Sequence, residues 1–211
     1  MYYIAYGSNL NIYQMRFRCP SAIPVGTSVI KGYELKYKGS LTGSYLTIEK
    51  KLGGVVPVGI WEISDSDLKN LDAYEGYPRF YYRREMKLRV NMLGSDERED
   101  LWGIVYIMHE DRKEGIPAES YIETCERGYG DFGLDISYLD EALIRTYNIV
   151  AQDILAGDED PEDIYKAAYQ IAKKTKKKVV GKNKKSDKKK KSHSYLRPYT
   201  ERWLEVPHYG W

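Results

Sequence analysis

The sequence predicts an α+β fold built on a closed or strongly curved sheet. Three observations carry that expectation. Strand-like segments follow one another closely from residue 2 to residue 108, few segments show helical spacing, and 42% hydrophobic with 30% charged residues supplies a core without an apolar run.

Taken in order, YYIAY at residues 2–6 is a short apolar strand stopped by Gly7, and NIYQMRFR at 11–18 has the pattern of a short helix, with Ser8 or Asn9 as its expected cap. Segments 33–38, 45–49 and 55–63 are strand candidates separated by Gly, Ser and charged clusters. A helix is expected over 65–75, begun by Ser64 or Asp65, with Gly76 as its C-terminal cap. Residues 80–90 alternate with a period of two: Phe80, Tyr82, Met86, Leu88 and Val90 share one face, and Tyr81, Arg83, Glu85, Lys87 and Arg89 share the other, with Arg84 breaking the pattern. Segment 101–108 is a further strand, and 137–149 a second helix begun by Asp135 or Ser137. Pro161 to Ala172 has an acidic start and helical apolar spacing, so the folded body is expected to span 1–172.

Beyond it the composition changes. The nineteen residues 173–191 contain twelve lysines and one acid, Asp187, too little apolar surface to offset the entropy of ordering, so 173–194 is expected to be a disordered lysine-rich linker. An aromatic C-terminal tail at 195–211 follows, with Tyr195, Tyr199, Trp203, Tyr209 and Trp211. The overall charge of +2 hides this division: residues 173–211 carry 14 Lys and Arg against 3 acids, which leaves −9 on residues 1–172. Non-specific contact of the lysine tract with a polyanion is therefore open, whereas a tract without interleaved aromatics on an acidic body speaks against specific nucleic-acid recognition.

Other classes are excluded by what the sequence lacks. There is neither an apolar run long enough to span a bilayer nor a basic-then-apolar opening, so a soluble, cytoplasmic protein is expected. Cys19 and Cys125 form no C-x-x-C pair, and His109, His193 and His208 are too scattered for zinc, so neither a disulfide framework nor a metal is expected. Cys125 reads as a buried packing residue. Tyrosine is abundant, 21 residues against 3 Phe, which suggests a pocket lined with phenols or a core wet at its edges.

Two features point to chemistry. In the helix 65–75, Leu68, Leu71 and Glu75 fall on one stripe, so a carboxylate ends the apolar face. Burial and the negative end of the helix dipole would both raise its pKa and make Glu75 a candidate general base; the alternative is a rim residue, exposed or paired with Arg79 or Arg83. The second feature is Tyr6-Gly7-Ser8-Asn9-Leu10, where a strand runs through a tight turn into a helix. The amides of such a turn are able to hold a carboxylate or a developing oxyanion, although a plain capped turn has the same sequence pattern.

These motifs resemble those of the γ-glutamylcyclotransferase-like, or AIG2-like, proteins. The YGSN loop is matched by Tyr6, Gly7, Ser8 and Asn9, and the segment that carries the family's glutamate by LDAYEGYP at 71–78, roughly seventy residues later. A third stretch, GLDISYLDEA at 133–142, is similar to the segment before the family's last helix and puts Tyr138 in its tyrosine position, with Asp135 where proline is common. The resemblance covers about 1–147. It implies a small mixed barrel with flanking helices and one pocket between the YGSN loop and the glutamate, with Glu75 catalytic and Tyr6, Gly7, Ser8, Asn9, Leu10 and Tyr138 binding substrate. It also implies cofactor-independent cyclisation of a γ-glutamyl amide, releasing 5-oxoproline and an amine. Tyr81 or Tyr82, only one of which is able to face the pocket, is a further candidate. The alternative within the resemblance is a non-catalytic protein that binds a γ-glutamyl ligand or a partner.

Overall fold

The computed structural model describes residues 1–40 and 43–157; the helix expected at 161–172, the linker at 173–194 and the tail at 195–211 lie outside the described residues. The strands are β1 (Tyr2–Ala5), β2 (Ile23–Ser40), β3 (Gly43–Glu62), β4 (Tyr81–Met92) and β5 (Arg98–Met108), and they close a barrel in the order β1-β3-β2-β4-β5. β1 runs antiparallel to β3, with Tyr3 opposite Trp61, and parallel to β5, with Tyr3 opposite Ile104, which makes the barrel mixed. β4 and β5 pair from Tyr81–Met108 to Asn91–Arg98, and a narrow seam of Gly26–Met92 and Thr27–Asn91 joins β2 to β4.

Four α-helices flank the barrel among the described residues: α1 (Ile12–Arg18), α2 (Asp65–Glu75), α3 (Glu119–Asp131) and α4 (Ser137–Leu155). The expected α+β barrel with flanking helices is therefore what forms. No helix among the described residues is long and apolar enough to cross a membrane.

Several local expectations are corrected. The segments at 33–38, 45–49 and 55–63 belong to two strands of 18 and 20 residues, β2 and β3. Their ladder shifts register between Pro24 and Gly26 and between Lys31 and Tyr33, where residues 51–54 bulge out opposite Gly32. Gly, Pro and lysine at these bulges look like strand ends in the sequence, but flanking pairs carry the ladder across them. Helix α1 is capped by the Asn11 side chain, which accepts from the Gln14 amide at 3.0 Å, and not by Ser8 or Asn9, which lie in a 3₁₀ turn (Ser8–Leu10). Helix α3 was not expected, because Gly128 and Gly130 weaken its helical pattern. Packing explains Gly128: a Cβ there would lie 2.6 Å from the Asn11 nitrogen, so the glycine lets α3 press against the turn after β1.

Candidate active site

Helix α2 is delimited by its own sequence. Ser64 accepts from the Asp67 amide at 3.2 Å while Asp67 accepts from the Ser64 amide at 3.1 Å, a reciprocal cap at the N-terminus. At the other end Gly76 adopts φ 63°, and the Tyr77 amide donates to the Asp72 carbonyl at 3.0 Å, which ends the helix one residue after Glu75. Between these caps Leu71 is fully buried and anchors the stripe, so the last turn directs Glu75 inward.

The opposing wall comes from β1 and the turn after it. The Asn9 side chain donates from Nδ2 to Glu75 Oε1 at 2.7 Å and to the Tyr3 hydroxyl at 2.8 Å. Asn9 is itself fixed from behind, since Trp61 Nε1 donates to its backbone carbonyl at 3.0 Å. Ser8 and Asn9 are buried, and the amides of Gly7, Ser8 and Asn9 meet no acceptor among the described residues.

Glu75 and this turn share one cavity of about 230 Å³, lined by Tyr6, Gly7, Ser8, Asn9 and Glu75 together with Tyr45, Leu46, Tyr74, Phe80, Tyr81, Tyr106 and Tyr121. That volume falls below the range for drug-sized ligands and suits a molecule of amino-acid size. Six of the twelve lining residues are tyrosines, so much of the wall is phenol. Their hydroxyls are largely committed. Tyr6 donates to the Tyr106 carbonyl at 2.7 Å, Tyr81 to the Leu46 carbonyl at 2.9 Å and Tyr106 to Asp72 Oδ1 at 2.7 Å, while Tyr121 accepts from the Leu46 amide at 2.9 Å. The rings around the outer part stack edge to face: Tyr45 on Tyr121 at 5.2 Å, Phe80 on Tyr81 at 5.2 Å.

Glu75 is the acid of this cavity. Although the residue is intermediate in exposure, its carboxyl group is enclosed, and desolvation pushes its pKa up from 4.5 to about 7, against the opposing pull of the Arg18 guanidinium and the Asn9 hydrogen bond. Burial, one of the two causes the sequence suggested, is thus the main one. The neighbouring phenols of Tyr3, Tyr6 and Tyr81 are driven well above their usual range, first by burial and then by nearby charge, from Glu75 for Tyr3 and Tyr6 and from Tyr6 and then Glu75 for Tyr81, so they stay protonated. The alternative of a rim carboxylate paired with an arginine is not what forms: Arg83 lies 3.6 Å from Asp72 instead.

Of the residues singled out in the sequence, Tyr6, Gly7, Ser8, Asn9 and Glu75 come together. Leu10 does not line the cavity; it is fully buried against Gly59, in the core beneath the turn. Tyr138 is also elsewhere. It lines a separate groove with Glu34, Leu35, Glu141 and Arg145, because the first turn of α4 packs beside β2 and the bulge of β3. Tyr81 and not Tyr82 faces the cavity: Tyr82 turns its hydroxyl outward to Glu110 at 2.8 Å. The alternation of β4 holds at Met86, Leu88 and Val90 but reverses at its start, where Tyr81 is covered by α2 and the turn after β1. Tyr45, Tyr106 and Tyr121 were missed, having no local signal; Tyr74 adjoins Glu75 in sequence and was within reach. Cys125 is fully buried, as expected of a packing residue. Among the described residues, no three His, Cys, Asp or Glu side chains converge as a metal site would require.

Glu75 and the turn after β1 share one small cavity beside a mixed barrel, and comparison with known proteins identifies the family to which this arrangement belongs. The chain belongs to the family described as gamma-glutamyl cyclotransferase, AIG2-like, whose model matches residues 3–123. A solved gamma-glutamyl cyclotransferase is 25% identical with a TM-score of 0.59, covering 67% of this chain and 85% of its own. An uncharacterised protein from Homo sapiens is 26% identical with a TM-score of 0.58 over the same shares. YkqA from Bacillus subtilis, 20% identical with a TM-score of 0.56, shares the fold over 69% of this chain and 54% of its own. No curated protein sequence matches this one.

Proposed function

We propose that the protein is a cyclotransferase acting on a γ-glutamyl amide, a dipeptide or a γ-glutamylamine, and that it releases 5-oxoproline and a free amine. The observation that carries this reading is Glu75: a carboxyl group with a pKa of about 7, held by Asn9 at 2.7 Å in the same small cavity as the amides of Gly7, Ser8 and Asn9.

The substrate's α-ammonium must lose a proton before its nitrogen is able to attack. A carboxylate with a pKa near the working pH is suited both to accept that proton and to return it. The neutral nitrogen then attacks the γ-carbonyl carbon of the same molecule. The new C–N bond closes a five-membered ring and the carbonyl π electrons move onto oxygen, towards the amides of Gly7, Ser8 and Asn9. Collapse of this intermediate breaks the bond to the leaving nitrogen. Two protons leave the attacking nitrogen and two reach the departing one, which exits as an ammonium, and Glu75 is an ionised carboxylate again. Nucleophile and electrophile belong to one molecule, so the protein's task is to hold the chain folded for ring closure and to move protons.

We assign this chemistry to the body at 1–172, with 173–194 as linker and 195–211 as tail outside it. The test is to incubate the full chain with a panel of γ-glutamyl dipeptides and γ-glutamylamines and to assay 5-oxoproline. At least one substrate is expected to turn over, and release from none of them overturns the assignment.

A further inference from the structure

The geometry points to Arg18 as a positioning residue for this site, a fork that fixes the orientation of the Asn9 amide and thereby which oxygen of Glu75 is left to meet the substrate amine. The inference rests on the proposed reaction for its kinetic consequences but on the structure alone for its mechanism.

Arg18 is the last residue of α1 and reaches the cavity wall through two of its lining residues, Asn9 and Tyr74. Its guanidinium has three anchors. Nη1 donates to Asn9 Oδ1 at 2.5 Å, Nη2 donates to Gln14 Oε1, and the plane lies over the Tyr74 ring with Cζ 3.7 Å from the centroid. A primary amide has two faces that differ only in donor and acceptor, and by itself Asn9 is free to present either to Glu75. Arg18 removes that freedom, because a guanidinium only donates and so requires Oδ1 on its side. The Nδ2 protons must then point the other way, one to Tyr3 and one to Glu75 Oε1. With Oε1 occupied, Oε2 is the oxygen available for proton transfer.

Arg18 also supplies charge. Glu75 is faced by Tyr3 from β1, Tyr6 just after it, Tyr74 from its own helix, Tyr81 from β4, Tyr106 from β5 and Cys19 after α1. Burial raises all of these phenols and brings the Cys19 thiol to about 12, so they are neutral near pH 7. Arg18 is then the cation that acts on the carboxylate among the described residues. Tyr74 is the sequence neighbour of Glu75 and lies under the Arg18 guanidinium, so Arg18 links α1 to the turn after β1 and to α2.

Two variants separate the roles. Arg18→Met keeps the stem and loses both charge and fork; Arg18→Lys keeps the charge and loses the fork and the stacking. Titration of the Glu75 carboxyl carbon by ¹³C NMR is the readout that does not depend on turnover, and thermal unfolding confirms that each variant is folded. In Arg18→Met the Glu75 titration is expected to move upward by roughly one pH unit, and kcat/KM at pH 7 to fall about tenfold or more, with only partial recovery above pH 8 because the fork is lost as well. In Arg18→Lys the titration is expected near its original position, while kcat at the pH plateau stays several-fold reduced and KM changes little. An unshifted Glu75 titration in Arg18→Met, or full kcat in Arg18→Lys, overturns the inference. If the unaltered chain releases no 5-oxoproline, the functional reading falls by itself and the titration still decides the role of Arg18; if Arg18→Met does not fold, the Lys variant decides it.

Discussion

Replacing Glu75 by Gln is expected to lower turnover steeply and at the same time to stabilise the protein, by an amount that depends on pH. The folded-state pKa of Glu75 is about 7 against 4.5 for an ordinary glutamate. Each unit corresponds to about 1.4 kcal/mol, so holding the ionised carboxylate in its enclosed position costs about 3 kcal/mol of stability. The sign follows from proton counting. Between pH 4.5 and 7 the folded state binds more protons at this residue than the unfolded state, so its contribution falls as pH rises, and the whole cost is present above pH 7. Gln has the shape of the protonated acid, keeps an acceptor for Asn9 and never ionises. The variant should therefore match the unaltered protein at pH 4 and exceed it by about 2–3 kcal/mol at pH 8, a rise in Tm of roughly 5–10 °C for a chain of this size. Unfolding by urea at the two pH values measures this difference directly, because every other titration is common to both proteins. Loss of the proton-transfer group is expected to lower kcat about 10²- to 10⁴-fold. An equal stability difference at pH 4 and pH 8, or a variant less stable at both, would refute the claim that the carboxylate is held against its own desolvation.

Other outcomes follow from the same geometry. The pH dependence of kcat/KM should show an ascending limb with an apparent pKa near 7, set by Glu75 in the free enzyme; a limb near 4.5 would mean a solvated carboxylate. Gly128→Ala forces a Cβ to within 2.6 Å of the Asn11 nitrogen, so unfolding should show a loss of about 1–3 kcal/mol, accompanied by lower kcat as the turn that carries Asn9 shifts. Ser64→Ala removes the cap of α2 and should cost about 1 kcal/mol by thermal unfolding, with kcat nearly unchanged. Deleting 173–211 should leave kcat/KM for the best γ-glutamyl substrate within about twofold, since no residue of the proposed reaction lies there; a large loss would place part of the site in the tail.

The elements legible in the sequence were those specified within a few residues of themselves. A strand stopped at Gly7, a helix opened by Ser64 and closed by Gly76, and a stripe through Leu71 to Glu75 all depend on local backbone preferences and side-chain spacing, and all appear where they were expected. The walls of the cavity depend on contacts between residues far apart in the chain. Asn9 and Glu75 are separated by 66 positions and Leu46 and Tyr121 by 75. No local pattern announces such meetings, which is why Tyr45, Tyr106 and Tyr121 were missed, why Tyr81 rather than Tyr82 turns inward, and why Tyr138 lies in another groove despite a motif-like setting.

What the sequence by itself determined was the turn that holds Tyr6 to Asn9 and the helix end that carries Glu75, because turns, caps and periodicity act at short range. The tertiary structure alone decided that Glu75 is desolvated, that Asn9 is its partner and that Arg18 stands behind both. Those properties arise from packing α2 against the turn after β1 and the barrel strands, and burial is a property of the packed body rather than of any one segment.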